Sequence, residues 1–268
     1  MTNTPQPIPI LTSGAAMFAE IARARALLAF DFDGTLAPIV DDPSRARMRP
    51  DTWALLRATA LLFPCAVISG RARPDVAARL ENIPLAAVVG NHGAEPGLGP
   101  IDRSLQLQCR LWAQELESAL ADVPGLEVEQ KRLGLAVHYR RAPDWPAAEQ
   151  RIRDAVRELE GARVFGGHAV VNVHPAEAPD KGDALAALQE RFDAPLAVYV
   201  GDDVTDEDAF SRPKVVSIRV GSAGPSVARF CISSQEEVDD LLRALIAARA
   251  QEDGLGDRWQ GLVRVLAL

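Results

Sequence analysis

The stretch Leu27-Leu28-Ala29-Phe30-Asp31-Phe32-Asp33-Gly34-Thr35-Leu36 constrains this chain more than any other. The unbroken apolar run Leu27 to Phe30 suits a strand covered on both faces, not one with a wet side. Two carboxylates spaced two apart follow at once. Side chains alternate along an extended chain, so Asp31 and Asp33 can point the same way while Phe32 points back. Gly34 permits a sharp turn directly after them. Carboxylates aimed into one small space repel each other, and a divalent cation relieves that repulsion. A buried strand that ends this way has the layout of an active site at the carboxyl edge of a parallel sheet. Asp-Gly after a strand also makes ordinary solvated turns, so the rest of the chain has to decide.

Three strand-helix units follow one pattern. Leu27–Phe30 ends in Asp31 to Thr35. A helix from about Asp51, read as its N-cap, carries Trp53, Leu55, Leu56, Leu61 and Leu62 and stops at Pro64. Cys65–Ile68 then ends in Ser69-Gly70-Arg71, and Pro74 opens a second helix. Ala86–Gly90 ends in Asn91-His92-Gly93-Ala94-Glu95. Short buried strands alternating with helices predict a doubly wound parallel α/β sheet. The pattern then breaks at a Gly/Pro-rich hinge, Pro96 to Pro100. A long amphipathic helix, two alternating strands (126–131 and 133–140), a second helix and a hairpin around Gly166-Gly167 follow, an α+β order. The parallel pattern resumes at Pro179-Asp180-Lys181-Gly182-Asp183, then Leu196–Val200 running into Gly201-Asp202-Asp203-Val204-Thr205-Asp206. Val215–Val220 follows, and Arg229–Ile232 reads as an edge strand. The predicted organisation is a loose Pro/Thr-rich arm over 1–14, a core from 15–100 and 178–268, and an inserted α+β domain over 101–177. Trp259, Leu262 and Val265 could dock as a short terminal helix.

At 268 residues the chain is long enough for a large domain or two modest ones. Its net charge of −8 and pI of about 5.1 argue against nucleic acid or an anionic membrane as partner. A small phosphorylated substrate remains open, because a local site can be positive on an acidic protein. Cys65, Cys109 and Cys231 are sparse and show no metal-ligand spacing, which fits a reducing, cytoplasmic location. His138, His168 and His174 show no ligand spacing either, and are predicted to be surface or structural residues. A monomer or weak oligomer is expected.

Strand C-termini of a parallel sheet share one edge, so Asp31/Asp33, Ser69, Lys181 and Asp202/Asp203/Asp206 should converge there. That set suits phosphoryl transfer. One carboxylate can attack phosphorus, and another can give and take a proton. A hydroxyl, an ammonium and backbone N–H groups can hold the remaining oxygens.

These motifs resemble, in order, the four motifs of the haloacid-dehalogenase superfamily. His92-Gly93-Ala94-Glu95, Glu129-x-Lys131, Ala136-Val137-His138-Tyr139-Arg140 and Gly201-Asp202-Asp203-x-Thr205-Asp206-Glu207 are similar to trehalose-6-phosphate phosphatases. The resemblance covers roughly residues 27 to 240. It implies Mg²⁺-dependent hydrolysis of trehalose 6-phosphate through an aspartyl phosphate, with a cap that closes over the sugar. It makes Asp31 the nucleophile and a metal ligand, and Asp33 the acid/base with its backbone carbonyl on the metal. Ser69 and Lys181 would bind the phosphoryl group, and Asp202 would complete the metal's protein ligands. Gly34, Thr35, Asp203 and Asp206 would support the site. Gly70, Arg71, His92, Glu129, Lys131 and Asn172 would contact the substrate. Glu129 and Lys131 are also spaced for a plain same-face salt bridge. Asn172 stands where the family usually carries a glutamate, and being neutral it puts the sugar in question. Sucrose 6-phosphate or a glucosyl-glycerol phosphate are the alternative substrates. A phosphomutase and a catalytically silent sugar-phosphate binder are the other readings.

Overall fold

The computed structural model describes residues 6–96, 102–167, 169–221, 224–255 and 261. Expectations for Met1 to Pro5, residues 97–100 of the hinge, His168, Trp259, Leu262 and Val265 lie outside the described residues. In chain order the elements are β1 (Ile8–Pro9), α1 (Ile10–Ser13), α2 (Ala15–Ala24), β2 (Leu27–Phe30), α3 (Pro50–Leu62), β3 (Cys65–Ile68), α4 (Arg73–Arg79) and β4 (Ala87–Val89). Then come α5 (Arg103–Ala119), β5 (Glu127–Lys131), β6 (Gly134–His138), α6 (Trp145–Arg157), β7 (Ala162–Gly167) and β8 (Val170–Pro175). The last are α7 (Lys181–Arg191), β9 (Ala197–Gly201), α8 (Glu207–Phe210), β10 (Val215–Val220), β11 (Phe230–Ile232) and α9 (Val238–Glu252). Two compact units result: one from the chain up to Gly93 and from Asp180 onward, the other from Ala94 to Pro179.

The first unit is built on a seven-stranded sheet of order β1-β11-β10-β9-β2-β3-β4. Every pairing in it is parallel. β2 is an interior strand, with β3 and β4 on one side and β9, β10, β11 and β1 on the other. The unbroken apolar run is explained by two covered faces. Leu28 and Phe30 join Ile21, Leu56 and Leu242 on one side, and Leu27 and Ala29 join Leu185 and Ala209 on the other. The winding direction reverses between β2 and β9, and the crevice at that switch lies beyond their carboxyl ends.

Four local expectations are corrected. Residues 6–14 are not a loose arm: Ile8 and Pro9 pair with Phe230 and Cys231, and Ile10 is fully buried. The Pro/Thr-rich composition masked two apolar side chains with a place in the fold. β11 is accordingly not an edge strand, since β1 covers it. Asp51 is not an N-cap; α3 starts at Pro50 after Arg49, and Asp51 sits in the first turn, where its charge still meets the helix dipole. Gly166 and Gly167 do not form a turn but pair in β7 with Val171 and Val170, and the chain reverses after them.

The second unit is a four-stranded antiparallel sheet of order β5-β6-β8-β7. Leu135, Val137, Val171 and Val173 pack one face against Trp112 and Leu116 of α5 and Ile152 and Val156 of α6. Residues of opposite parity therefore occupy the face away from the helices.

Ile10 offers a test of the N-terminal correction. Ile10→Ala should destabilise the chain by about 2–4 kcal/mol, as for a fully buried aliphatic truncation, read as a lowered urea midpoint at unchanged m-value. A loose arm would give no shift.

Candidate active site

Asp31 follows β2 directly, its N–H donating to the Val200 carbonyl of β9 at 2.9 Å. The turn behind it is held by Gly34 N–H to Ala37 O at 2.7 Å and Ala37 N–H to Phe32 O at 2.8 Å. Gly34 has φ +81°, and a Cβ there would run into the Asp202 carboxylate. Glycine at 34 thus lets the loops after β2 and β9 close together. Buried Thr35 uses that approach and donates to Asp202 Oδ1 at 3.1 Å. Gln235 Nε2 donates to the Thr35 carbonyl at 2.8 Å and ties the same turn to the C-terminal part of the chain.

Lys181 is the first residue of α7, behind an Asp180–Asp183 capping box. A cation in a helix's first turn is poorly placed unless anions offset it. Here two do. Lys181 Nζ lies 3.1 Å from Asp31 Oδ1 and 2.6 Å from Asp206 Oδ1. Both Lys181 and Asp206 are buried, so Asp206 does not belong to a solvated acidic loop. Asp206 also accepts the Tyr199 hydroxyl at 2.9 Å and the Asp203 N–H at 2.9 Å. Asp203 is itself exposed and caps the short turn Val204–Asp206.

Asp31, Asp202 and Asp206 each offer an oxygen within 4.8 Å of the others. Three carboxylates thus face one ammonium. Burial raises Asp31 well above its ordinary value; Lys181 opposes that, and Asp206, Asp202 and Asp33 add to it. Burial, then Asp206, raises Asp202 to about 7. Burial alone would lower Lys181, but Asp206 and Asp31 outweigh it and keep Lys181 an ammonium. Burial beside Asp206 raises Tyr199, which remains a donor. The surplus of hard oxygen donors fits a small divalent cation.

The other expected residues fall into place unevenly. Ser69, fully buried, follows β3 directly and accepts the Arg71 N–H on its hydroxyl at 3.2 Å. The half-buried His92 ring packs against Gly70, where a Cβ would meet it at 2.5 Å. Asp33 is gripped in a fork by Arg71, whose Nε and Nη2 reach its two oxygens at 2.7 and 2.6 Å. Arg71 also pairs with Asp75 at 2.9 Å. In this structure Arg71 is thus a partner of Asp33, and the acidic group beside Lys181 holds Asp206 in place of the Asp33 side chain.

Glu129, Lys131 and Asn172 lie in the second unit, on the sheet face away from the helices. Glu129, Ala136, Asn172 and Phe165 form one cross-strand row, and Lys131, Gly134, His174 and Arg163 the next. Asn172 is 7% exposed. Glu129 Oε2 lies 2.8 Å from His138 Nε2, its neighbour on β6. His174 is fully buried, and burial with Lys131 and Arg163 nearby lowers it to about 3, keeping it neutral. Sequence reasoning missed Tyr199 and Gln235. Tyr199 read as one more apolar strand residue, and Gln235 is distant in sequence with no motif around it.

The pattern that defines the trehalose-phosphatase family matches residues 29–243. The chain belongs to that family. It is an enzyme of the phosphoric monoester hydrolase class. "Probable trehalose-phosphate phosphatase 9" of Oryza sativa subsp. japonica is 32% identical over 87% of this chain and 73% of its own. The trehalose-phosphate phosphatase of Mycobacterium ulcerans is 34% identical over 81% of this chain, which spans only 56% of that relative's length. Among solved structures, the C-terminal domain of the Candida albicans trehalose-6-phosphate phosphatase superposes with a TM-score of 0.70 at 24% identity, covering 91% of this chain and 99% of that one. BT1666 of Bacteroides thetaiotaomicron, described as a phosphatase of the haloalkanoate (HAD) enzyme superfamily, shares this fold with a TM-score of 0.62 at 17% identity, covering 86% of this chain and 95% of that one.

The raised carboxyls predict a pH dependence of the metal-free chain. Asp202 stands at about 7 in the folded state against 3.8 ordinarily, so folding takes up a proton between those values. That contribution is complete below the ordinary value and is lost as pH rises through about 7. The chelated chain should therefore melt lower at about pH 8 than at about pH 6, and Mg²⁺ should restore the difference. Asp202→Asn should flatten the pH profile of the chelated chain.

Proposed function

We propose that the chain hydrolyses trehalose 6-phosphate to trehalose and inorganic phosphate. The observation that carries the chemistry is the buried Lys181 ammonium bonded at once to Asp31 and Asp206, with Asp202 alongside at the carboxyl edge of the sheet. The names of the relatives support the substrate. Asp31 and Asp202 would hold Mg²⁺, with the Asp33 backbone carbonyl, and the bound cation would neutralise phosphate charge.

An oxygen of Asp31 attacks phosphorus, and the bond from phosphorus to the sugar oxygen breaks. Asp33 supplies the proton that the leaving oxygen takes up. Water then attacks the aspartyl phosphate, Asp33 takes its proton, and phosphate leaves with Asp31 restored as a carboxylate. Lys181 and the Ser69 hydroxyl hold the phosphoryl oxygens as their charge develops. Both Asp33 oxygens are engaged by Arg71, so that fork must yield when Asp33 turns to the leaving oxygen. Glu129, Lys131 and Asn172 are assigned to the sugar hydroxyls.

A second substrate reading rests on Asn172. A glutamate accepts only, whereas an amide donates as well, so a sugar with a different hydroxyl pattern is the competing substrate. Phosphate release should be compared for trehalose 6-phosphate, sucrose 6-phosphate, glucose 6-phosphate and glucosyl-glycerol phosphate, with Mg²⁺ and with chelator. The expected result is a preference for trehalose 6-phosphate that the chelator abolishes. Turnover of another sugar phosphate in its place would move the substrate and keep the chemistry. Asp31→Asn should lower kcat by roughly 10³-fold or more; undiminished turnover would rule out the aspartyl phosphate.

A further inference from the structure

Thr35 and Tyr199 both donate hydroxyls to the charged cluster, and Tyr199 is the one whose acceptor, Asp206, also holds Lys181. It projects from β9, paired with Ala29 on one side and Ser217 on the other. Its ring is fully buried and meets Phe210 edge-on, 5.9 Å between centroids at 72°. The ring is therefore clamped, and the hydroxyl has one fixed place to donate: Asp206 Oδ1, at 2.9 Å.

Three donors engage Asp206. A carboxylate has about four lone-pair sites. Lys181 and Tyr199 take two on Oδ1, and the Asp203 N–H takes one on Oδ2. Gly201 closes another side, since a Cβ there would run into the Asp206 carboxylate. Asp206 nevertheless lies near enough to Asp31 and Asp202 to compete for a cation. Its donors keep it from doing so. They also set how Lys181 is shared, because Lys181 reaches Asp206 at 2.6 Å and Asp31 at 3.1 Å. A second donor on the same Oδ1 weakens that atom's pull on the ammonium and leaves it available to Asp31.

We propose that the Tyr199 hydroxyl is a positioning group: by occupying Asp206 it makes that carboxylate the seat of Lys181 instead of a third ligand of the cation, and keeps Lys181 directed at Asp31. This rests on the proposed phosphatase chemistry, with Asp31 as nucleophile. Without the hydroxyl, Lys181 withdraws towards Asp206 and Asp206 gains a free lone pair. Both changes expose carboxylate oxygen to the cation, while the reacting group loses its ammonium.

Tyr199→Phe removes only the hydroxyl and keeps the ring. Two readouts test it: Mg²⁺ titration of the metal-free chain by calorimetry, and steady-state phosphate release from trehalose 6-phosphate at saturating Mg²⁺. The expected signature is Mg²⁺ bound at least about twofold more tightly with kcat lowered about tenfold and KM within about twofold of the parent. A merely loosened core would weaken Mg²⁺ binding or leave it unaltered. Unchanged kcat, or Mg²⁺ affinity unchanged or weakened, would overturn the proposal. The titration needs no turnover. Should the parent chain bind Mg²⁺ yet release no phosphate, the substrate assignment falls and the titration alone still decides the role of Tyr199.

Discussion

The structure depends on one buried charge arrangement: a single ammonium, Lys181, set among carboxylates it cannot fully balance. Burying charge is costly unless each group is paired and hydrogen-bonded. The fold meets that cost for Asp206, which has donors on both oxygens, and leaves it unmet for Asp31 and Asp202, which are pushed towards the protonated state. In the proposed chemistry that imbalance is the source of the site's reactivity. A divalent cation would relieve it, and it places a carboxylate oxygen beside the ammonium that would steady an incoming phosphoryl group.

The sheet exists in the form that this arrangement needs. β2 is an interior strand covered on both faces, so Asp31 emerges directly from a packed element. The reversal of winding between β2 and β9 brings Asp202 beside Asp31, and Gly34 lets the two loops approach closely enough for Thr35 to bond Asp202. The start of α7 supplies Lys181. The Asp31 turn thus meets Lys181 and Asp202, each about 150 residues or more further along the chain, because the parallel strands end on one edge.

Much of this was legible in the sequence, for a physical reason. The apolar run before Asp31, the small-polar clusters after each strand and the break in periodicity near Pro96 are local signals. They mark a buried parallel sheet and its insertion without knowledge of contacts. What stayed hidden was long-range. Tyr199 reads as an apolar strand residue until its hydroxyl is seen on Asp206. Within the acidic run 202–208 the sequence does not separate Asp206, which is wholly buried, from Asp203, which is exposed. The Arg71 fork on Asp33 joins residues 38 apart in sequence. Ile8 and Ile10 were lost in a Pro/Thr-rich stretch, yet one pairs in the sheet and the other fills the core.

The most direct test of the account is a crystal structure of the chain grown with Mg²⁺ and beryllium trifluoride, a mimic of a phosphoryl group bound to a carboxylate. The account predicts beryllium bonded to an Asp31 oxygen, Lys181 on a fluorine, Mg²⁺ on Asp31 and Asp202, and Asp206 still bonded to Tyr199 and Lys181. Beryllium on another carboxylate, or Mg²⁺ seated on Asp206 with Lys181 turned away from Asp31, would contradict it.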